Sequence, residues 1–188
     1  MAYPVEKGPT DHVRNLLESI SDVLEDRVDP KEEGQSGKAG AIKNLIVANF
    51  DQVEMARGAL GAKWDELTDQ KRDEFLSLFK ALFLESYTKL VLNFLRREEL
   101  EITGESEVDG RKMVLTRIRR RDDVIPVSYY LQKEDERWLI VEVDIDGVGI
   151  VRNYNRSFGN VIRKASFDDL IERMRIQERA LKKGSESD

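Results

Sequence analysis

TDQKRDEFLSLFKALFLESYTKLVLNFLRR, residues Thr68 to Arg97, reads as one uninterrupted helix whose apolar face is too broad for a surface position. Phe75, Leu76, Phe79, Leu82, Phe83, Tyr87, Leu90, Val91 and Phe94 recur at three- and four-residue steps, and Leu84 and Leu95 carry the stripe past half the circumference. Such a helix needs cover on two sides, which predicts the centre of a layered core. Thr68 is a suitable N-cap, Asp69 and Asp73 favour the start of the helix dipole, and Arg96 and Arg97 favour its end. At 1.5 Å per residue the rod is roughly 40 Å long. Lys80, Glu85 and Lys89 interrupt any run long enough to cross a bilayer.

Upstream of this helix, Gly8-Pro9-Thr10 opens a first amphipathic helix, capped by Thr10, with Val13, Leu16, Leu17, Ile20, Val23 and Leu24 on one face. From Glu25 to Gly40 charge, Gly and Ser predict an exposed, mobile connection within one domain. Ala41 to Asn49 is a short helix, Asp51 caps another running to Leu60, and Gly61 ends it in a left-handed conformation.

Downstream of Leu100 the period changes from helical to alternating. Four strands follow, separated by turn signals, and form an antiparallel meander. They are Leu100 to Val108, Lys112 to Arg120 after the Asp109-Gly110 turn, a third strand with Ile125, Val127, Tyr129 and Leu131 on one face, and a fourth with Leu139, Val141, Val143 and Ile145. After Asp146-Gly147 the chain is helical near Ile150 to Lys164 and again from Asp168 to Lys182, with residues 183–188 a frayed tail. Helices, a four-stranded antiparallel sheet and helices again predict an α+β fold: a cone or half-open sandwich with the apolar face of the sheet on the long helix.

With 188 residues the chain suits one domain. Its net charge of -6 argues against nucleic acid, whose recognition needs a basic surface. The lack of cysteine removes disulfides, thiolate metal sites and cysteine nucleophiles together. The first residues, Met1-Ala2-Tyr3-Pro4, carry no basic-then-apolar leader, which predicts a cytoplasmic chain or a mature exported one.

Individual polar candidates are few. His12 beside Asp11 is placed to act as half of an acid-base pair, but a histidine at a helix start is ordinarily solvated, and the chain has no second one. Glu142, Asp144 and Asp146 alternate on the fourth strand opposite the valines, which predicts a solvated outer face and no metal site. Arg117, Arg119, Arg120 and Arg121 are the one concentrated basic run; they suit lipid phosphate or an acidic partner, or simply solvent at a hairpin end. Tyr129, Tyr130 and Tyr154 suit a pocket rim or ordinary core packing. Phosphate-cradling glycine loops and serine elbows are absent.

The order of landmarks resembles the MlaC or toluene-tolerance family of periplasmic phospholipid carriers. Phe50-Asp51, Met55-Ala56-Arg57, Leu60-Gly61 and Trp64 are similar to its middle signature, and Phe75, Phe79 and Tyr87 continue the pattern. Ile125-Pro126-Val127, Tyr129, Leu131, Trp138, Val141, Val143, Asp146-Gly147-Val148, Asn153-Tyr154, Phe158 and Phe167-Asp168-Asp169-Leu170-Ile171 are similar to its carboxy-terminal pattern. Gly149 stands where the family commonly has serine, and Asn155-Arg156 where a basic residue usually follows the tyrosine directly.

The resemblance implies a single-domain, monomeric periplasmic carrier, not an enzyme and without a cofactor, whose cargo is phospholipid. Its implied partners are an inner-membrane ABC transporter complex and an outer-membrane lipoprotein complex. The implied lipid-binding residues are Phe79, Phe83, Tyr87, Leu90, Val91, Val127, Tyr129, Leu131, Val141, Val143, Val151 and Phe158, with Arg117, Arg119 and Tyr154 at the head group or a partner. A diacyl lipid has roughly 30 methylenes at about 0.8 kcal/mol each, so only an apolar cavity, expected here between the sheet and the helical layer with the head group near solvent, matches the roughly 20 kcal/mol that a bilayer offers. The alternatives are a hopanoid or other amphipathic lipid as cargo, an adaptor without ligand, and, last, an enzyme using His12 or a carboxylate.

Overall fold

The structure, a computed structural model of the chain, describes residues 8–25, 37–95, 99–119 and 122–185. Among them are α1 (Pro9–Leu24), α2 (Gly37–Asn49), α3 (Gln52–Leu60), a 3-10 helix (Gly61–Glu66) and α4 (Asp69–Phe94). There follow β1 (Glu99–Val108), β2 (Arg111–Arg119), β3 (Val124–Glu134), β4 (Arg137–Ile145), β5 (Val148–Gly149), α5 (Ile150–Lys164) and α6 (Phe167–Ser185). The fold is α+β, and its strands form one antiparallel sheet in the order β1-β2-β3-β4-β5. That is five strands where alternation predicts four. Val148 and Gly149 turn back at Asp146-Gly147 and pair with β4 before α5 begins, and two residues are too few to show a period. Asp109-Gly110 and Asp146-Gly147 have φ of 52°, 76°, 51° and 80°, as tight hairpins of this hand require.

Local chemistry explains most boundaries. The Thr68 hydroxyl accepts from the Lys71 N–H at 3.4 Å, so α4 starts where its cap predicts. Helix α1 begins two residues earlier than a Thr10 cap predicts. Its N-cap is Gly8, Pro9 occupies the first turn, and no side chain caps it. Thr10 instead donates to Glu105 Oε2 at 2.5 Å. Of the connection expected at 25–40, residues 26–36 lie outside the described residues, and Gly37–Gly40 already belong to α2. Arg96, Arg97, Arg120, Arg121 and residues 186–188 also lie outside them, while residues 183–185 continue α6.

The chain divides into two compact units, each made of two stretches of sequence. The first joins residues 1–51 to 88–149 and holds α1, α2, the end of α4 and the sheet. Within it α1 packs on β1, β2 and α2, burying Val13, Leu16, Leu17, Ile20 and Val23, and α2 meets β4. The end of α2 is tied to the sheet: Phe50 bridges Ile140, the Asp51 N–H donates to the Ile140 carbonyl at 2.9 Å, and Arg137 donates to the Ala48 carbonyl at 2.8 Å.

The second unit joins residues 52–87 to 150–188 and holds α3, the 3-10 helix, most of α4, α5 and α6. Helix α5 packs on α3 and α6. Gly61, at φ 57°, ends α3 in the left-handed conformation its position predicts, and Asn155 Nδ2 donates to the Gly58 carbonyl at 3.1 Å.

Candidate functional site

In the first unit the sheet register lays down one apolar face in cross-strand rows. Ile118 lies opposite Ile125; Thr116, Val127 and Ile145 form the next row; Val114, Tyr129 and Val143 the next; Leu131 and Ile140 another. Val127, Tyr129, Leu131 and Val143, all expected to bind lipid, therefore share this face and are buried. The hydroxyl in the middle is satisfied, since Thr116 Oγ1 donates to the Val127 carbonyl at 3.0 Å. On the part of α4 that belongs to this unit, Val91 is buried and Leu90 half-buried.

Strand β4 departs from simple alternation. Between the Tyr130–Glu142 and Leu131–Ile140 pairs the register slips, leaving Val141 without a residue opposite. Such a bulge adds one residue and resets which side chains face which way. Ile140, at 0% exposure, takes the core position that alternation predicts for Leu139, and Leu139 turns to the other face opposite Gln132. Val141 is itself buried, but it does not continue the Val143 row as expected. Ile140 is the core residue that sequence reasoning missed, and the alternating pattern held no sign of it.

In the second unit, Phe75, Phe79, Phe83 and Tyr87 stack at four-residue steps along α4, with ring centroids 5.9, 5.9 and 5.5 Å apart. Tyr154 of α5 meets Phe79 edge-on at 5.5 Å and Phe158 at 5.3 Å, and Phe158 meets Phe75 at 5.8 Å. Phe79, Phe83, Tyr87 and Phe158 are thus brought into one aromatic column, with Tyr154 a member of it. Phe75, absent from the expected site, is its hub: it also touches Trp64 and Phe167. Its signal was the four-residue spacing. Val151 is buried beside α3, where its Cγ1 lies 2.9 Å from the place a Cβ on Gly58 would occupy.

The tyrosines separate by environment. Tyr129 is buried, so its hydroxyl does not reach water at a rim, and burial pushes its pKa up from 10.0. Adjacent Tyr130 points to the opposite face of the strand and is half-buried. Burial also raises the Tyr154 hydroxyl, and a hydrogen bond with Ser86 works against that shift.

Arg117 and Arg119 are exposed on one side of β2, and Arg119 Nη2 pairs with Glu101 Oε2 at 3.0 Å with both side chains about half exposed. Such a pair contributes little to stability. His12 is buried at 3% exposure, not solvated as its place at a helix start suggests, because it lies on the face of α1 that also buries Val13, Leu16 and Leu17. Glu142 is also buried, at 7%, and its Oε1 accepts from the Val143 N–H at 3.0 Å; the outer face of β4 is not simply solvated. Among the described residues no three His, Cys, Asp or Glu side chains are grouped to hold a metal ion.

A groove of about 520 Å³ runs along α4 and α6 past Glu74, Leu78, Glu172, Arg175 and Arg179. Another of about 530 Å³ lies along α1 and β1 past Arg14, Leu17, Glu18, Leu100 and Ile102. Neither is lined by a residue expected to bind lipid. No helix among the described residues is long and apolar enough to cross a membrane.

A family model described as MlaC protein matches residues 14–176. Among solved structures, the phospholipid-binding protein of Ralstonia solanacearum, determined in complex with a phospholipid, superposes with a TM-score of 0.76. The two chains are 18% identical, and the alignment covers 92% of this chain and 97% of that one. At that identity the likeness is one of fold. No curated protein matches the chain.

Proposed function

The chain belongs to the MlaC family, whose model takes in residues 14–176 of its 188, and from that premise we propose that it is a phospholipid carrier. It works in the periplasm as a single monomeric domain, taking lipid from one membrane system and delivering it to another. Its partners are an inner-membrane ABC transporter complex and an outer-membrane lipoprotein complex. Lipid is cargo and no covalent chemistry is involved. The observation that carries this reading is the family match over most of the fold. The structural likeness to a protein solved with phospholipid bound supports the same reading.

The energetics suit exchange. Moving roughly 30 methylenes out of water is worth on the order of 20 kcal/mol, but a bilayer offers a similar gain, so transfer between membrane and protein is close to balanced. A small bias from a partner then sets direction. In the first unit the proposed tail contacts are Val127, Tyr129, Leu131, Val141 and Val143 on the sheet with Leu90 and Val91 on α4. In the second they are Phe79, Phe83, Tyr87, Val151 and Phe158. Arg117, Arg119 and Tyr154 are the proposed head-group or partner contacts.

The test is extraction of the purified protein with organic solvent followed by mass spectrometry. The expected result is phospholipid in stoichiometric amount. An extract free of any lipid, from protein purified without detergent, would favour an adaptor that only docks partners.

A further inference from the structure

Helix α5 presents a basic surface in an acidic chain. Its charged residues are Arg152, Arg156, Arg163 and Lys164, with no Asp or Glu from Ile150 to Lys164, in a protein of net charge -6. All four are exposed, as are Asn153, Ser157 and Asn160 beside them. The face that α5 buries, through Val151 and Phe158, lies on the far side of the helix. At about 100° per residue, Arg156 and Arg163 fall within about 20° of each other and about 10 Å apart along the axis. Gly159 sits between them and adds no side chain to the stripe.

The charges on this stripe are not cancelled from within α5. Arg163 donates to the neutral side-chain oxygen of Asn160, which leaves the guanidinium charge in place. Arg152 already has an interaction of its own, so the weight falls on Arg156, Arg163 and Lys164.

We infer that this face of α5 seats the protein on an anionic phospholipid bilayer. Two observations favour a bilayer over a protein partner. Protein interfaces are centred on buried aromatic or apolar anchors, and none of the large exposed apolar residues (Val47, Val53, Val108, Val124, Val148 and Ile176) lies on α5. A row of cations without an anchor matches a plane that presents phosphate wherever a guanidinium lands, and guanidinium pairs with phosphate through two parallel hydrogen bonds. The net negative charge adds direction. An anionic surface repels the protein as a whole and attracts it through basic faces such as this one, so approach is oriented. Three cations hold weakly and are screened by salt, which suits arrival and departure. This docking is independent of which lipid the protein holds as cargo.

The experiment is co-sedimentation of the full chain with vesicles of phosphatidylcholine alone or mixed with phosphatidylglycerol. Binding is expected only to the phosphatidylglycerol vesicles, falling as salt is raised. The pair Arg156→Glu and Arg163→Glu should lower it roughly tenfold or more. Arg156→Gln with Arg163→Gln, milder at the helix end, should lower it in the same direction, and Lys133→Glu on β3 should leave it unchanged. Equal binding to both vesicle types, or binding that survives both double variants, overturns the inference. Arginine-dependent retention on immobilised polyglutamate without vesicle binding also overturns it, assigning the stripe to an acidic protein surface. The solvent extract of each variant shows separately whether cargo is still held.

Discussion

Phe75 touches Trp64, Phe79, Phe158 and Phe167, and its side chain is wholly buried. Replacing it with Ala removes the shared partner of rings on α4, α5, α6 and the 3-10 helix, and is expected to cost about 3–5 kcal/mol in urea unfolding. A loss below about 1 kcal/mol would mean the column closes over the gap. Tyr129 sets a limit on alkaline stability. Its hydroxyl loses a proton near the ordinary value of 10.0 in the unfolded chain, but burial raises that value in the folded one. Above pH about 10 the folded state therefore binds more protons, and stability falls as pH rises; below it both states are protonated and the difference vanishes. Tyr129→Phe should flatten that fall when unfolding is compared on the two sides of pH 10, and an unchanged slope would assign the loss to other groups. At this scale the apolar assignments on α4 and β3 were legible, because period alone decides them. His12 and Glu142 were not, since burial of a polar residue depends on what packs over it.

Elements were read well where turn chemistry or a cap marks their ends. Thr68 and Gly61 are such marks, and so are the two Asp-Gly hairpins with their positive φ. Thr10 misled because Pro9 at the first turn had already opened α1. The bulge at Val141 was illegible, as one inserted residue leaves local composition unchanged while moving Ile140 inward. The contact between α3 and α5 offers a test at this scale. In a helix interior Gly→Ala ordinarily stabilises by up to about 1 kcal/mol. At Gly58 the new Cβ would come within 2.9 Å of Val151 Cγ1, so Gly58→Ala should instead destabilise, by about 1–3 kcal/mol. Thermal melting of the variant above the parent would show that α5 shifts freely.

For the molecule as a whole, the carrier reading links cargo to stability. A lipid held by the folded chain alone raises its melting temperature, by the equivalent of about 2.7 kcal/mol when free ligand is a hundred times its dissociation constant. Protein stripped of lipid should melt lower and recover when phospholipid is returned; no change in either direction would argue against the carrier reading. Fold class and family were legible because many short signatures keep their order along the chain. Division into two units was not, since it depends on stretches far apart in sequence meeting again. That division has a consequence for how the polypeptide comes off the ribosome. Residues 52–87 emerge early but lack their complement, residues 150–188, until the sheet has been made. Phe75 and Phe79 must wait for Tyr154, Phe158 and Phe167, so a nascent chain halted at Gly149 would display bare aromatic rings to chaperones.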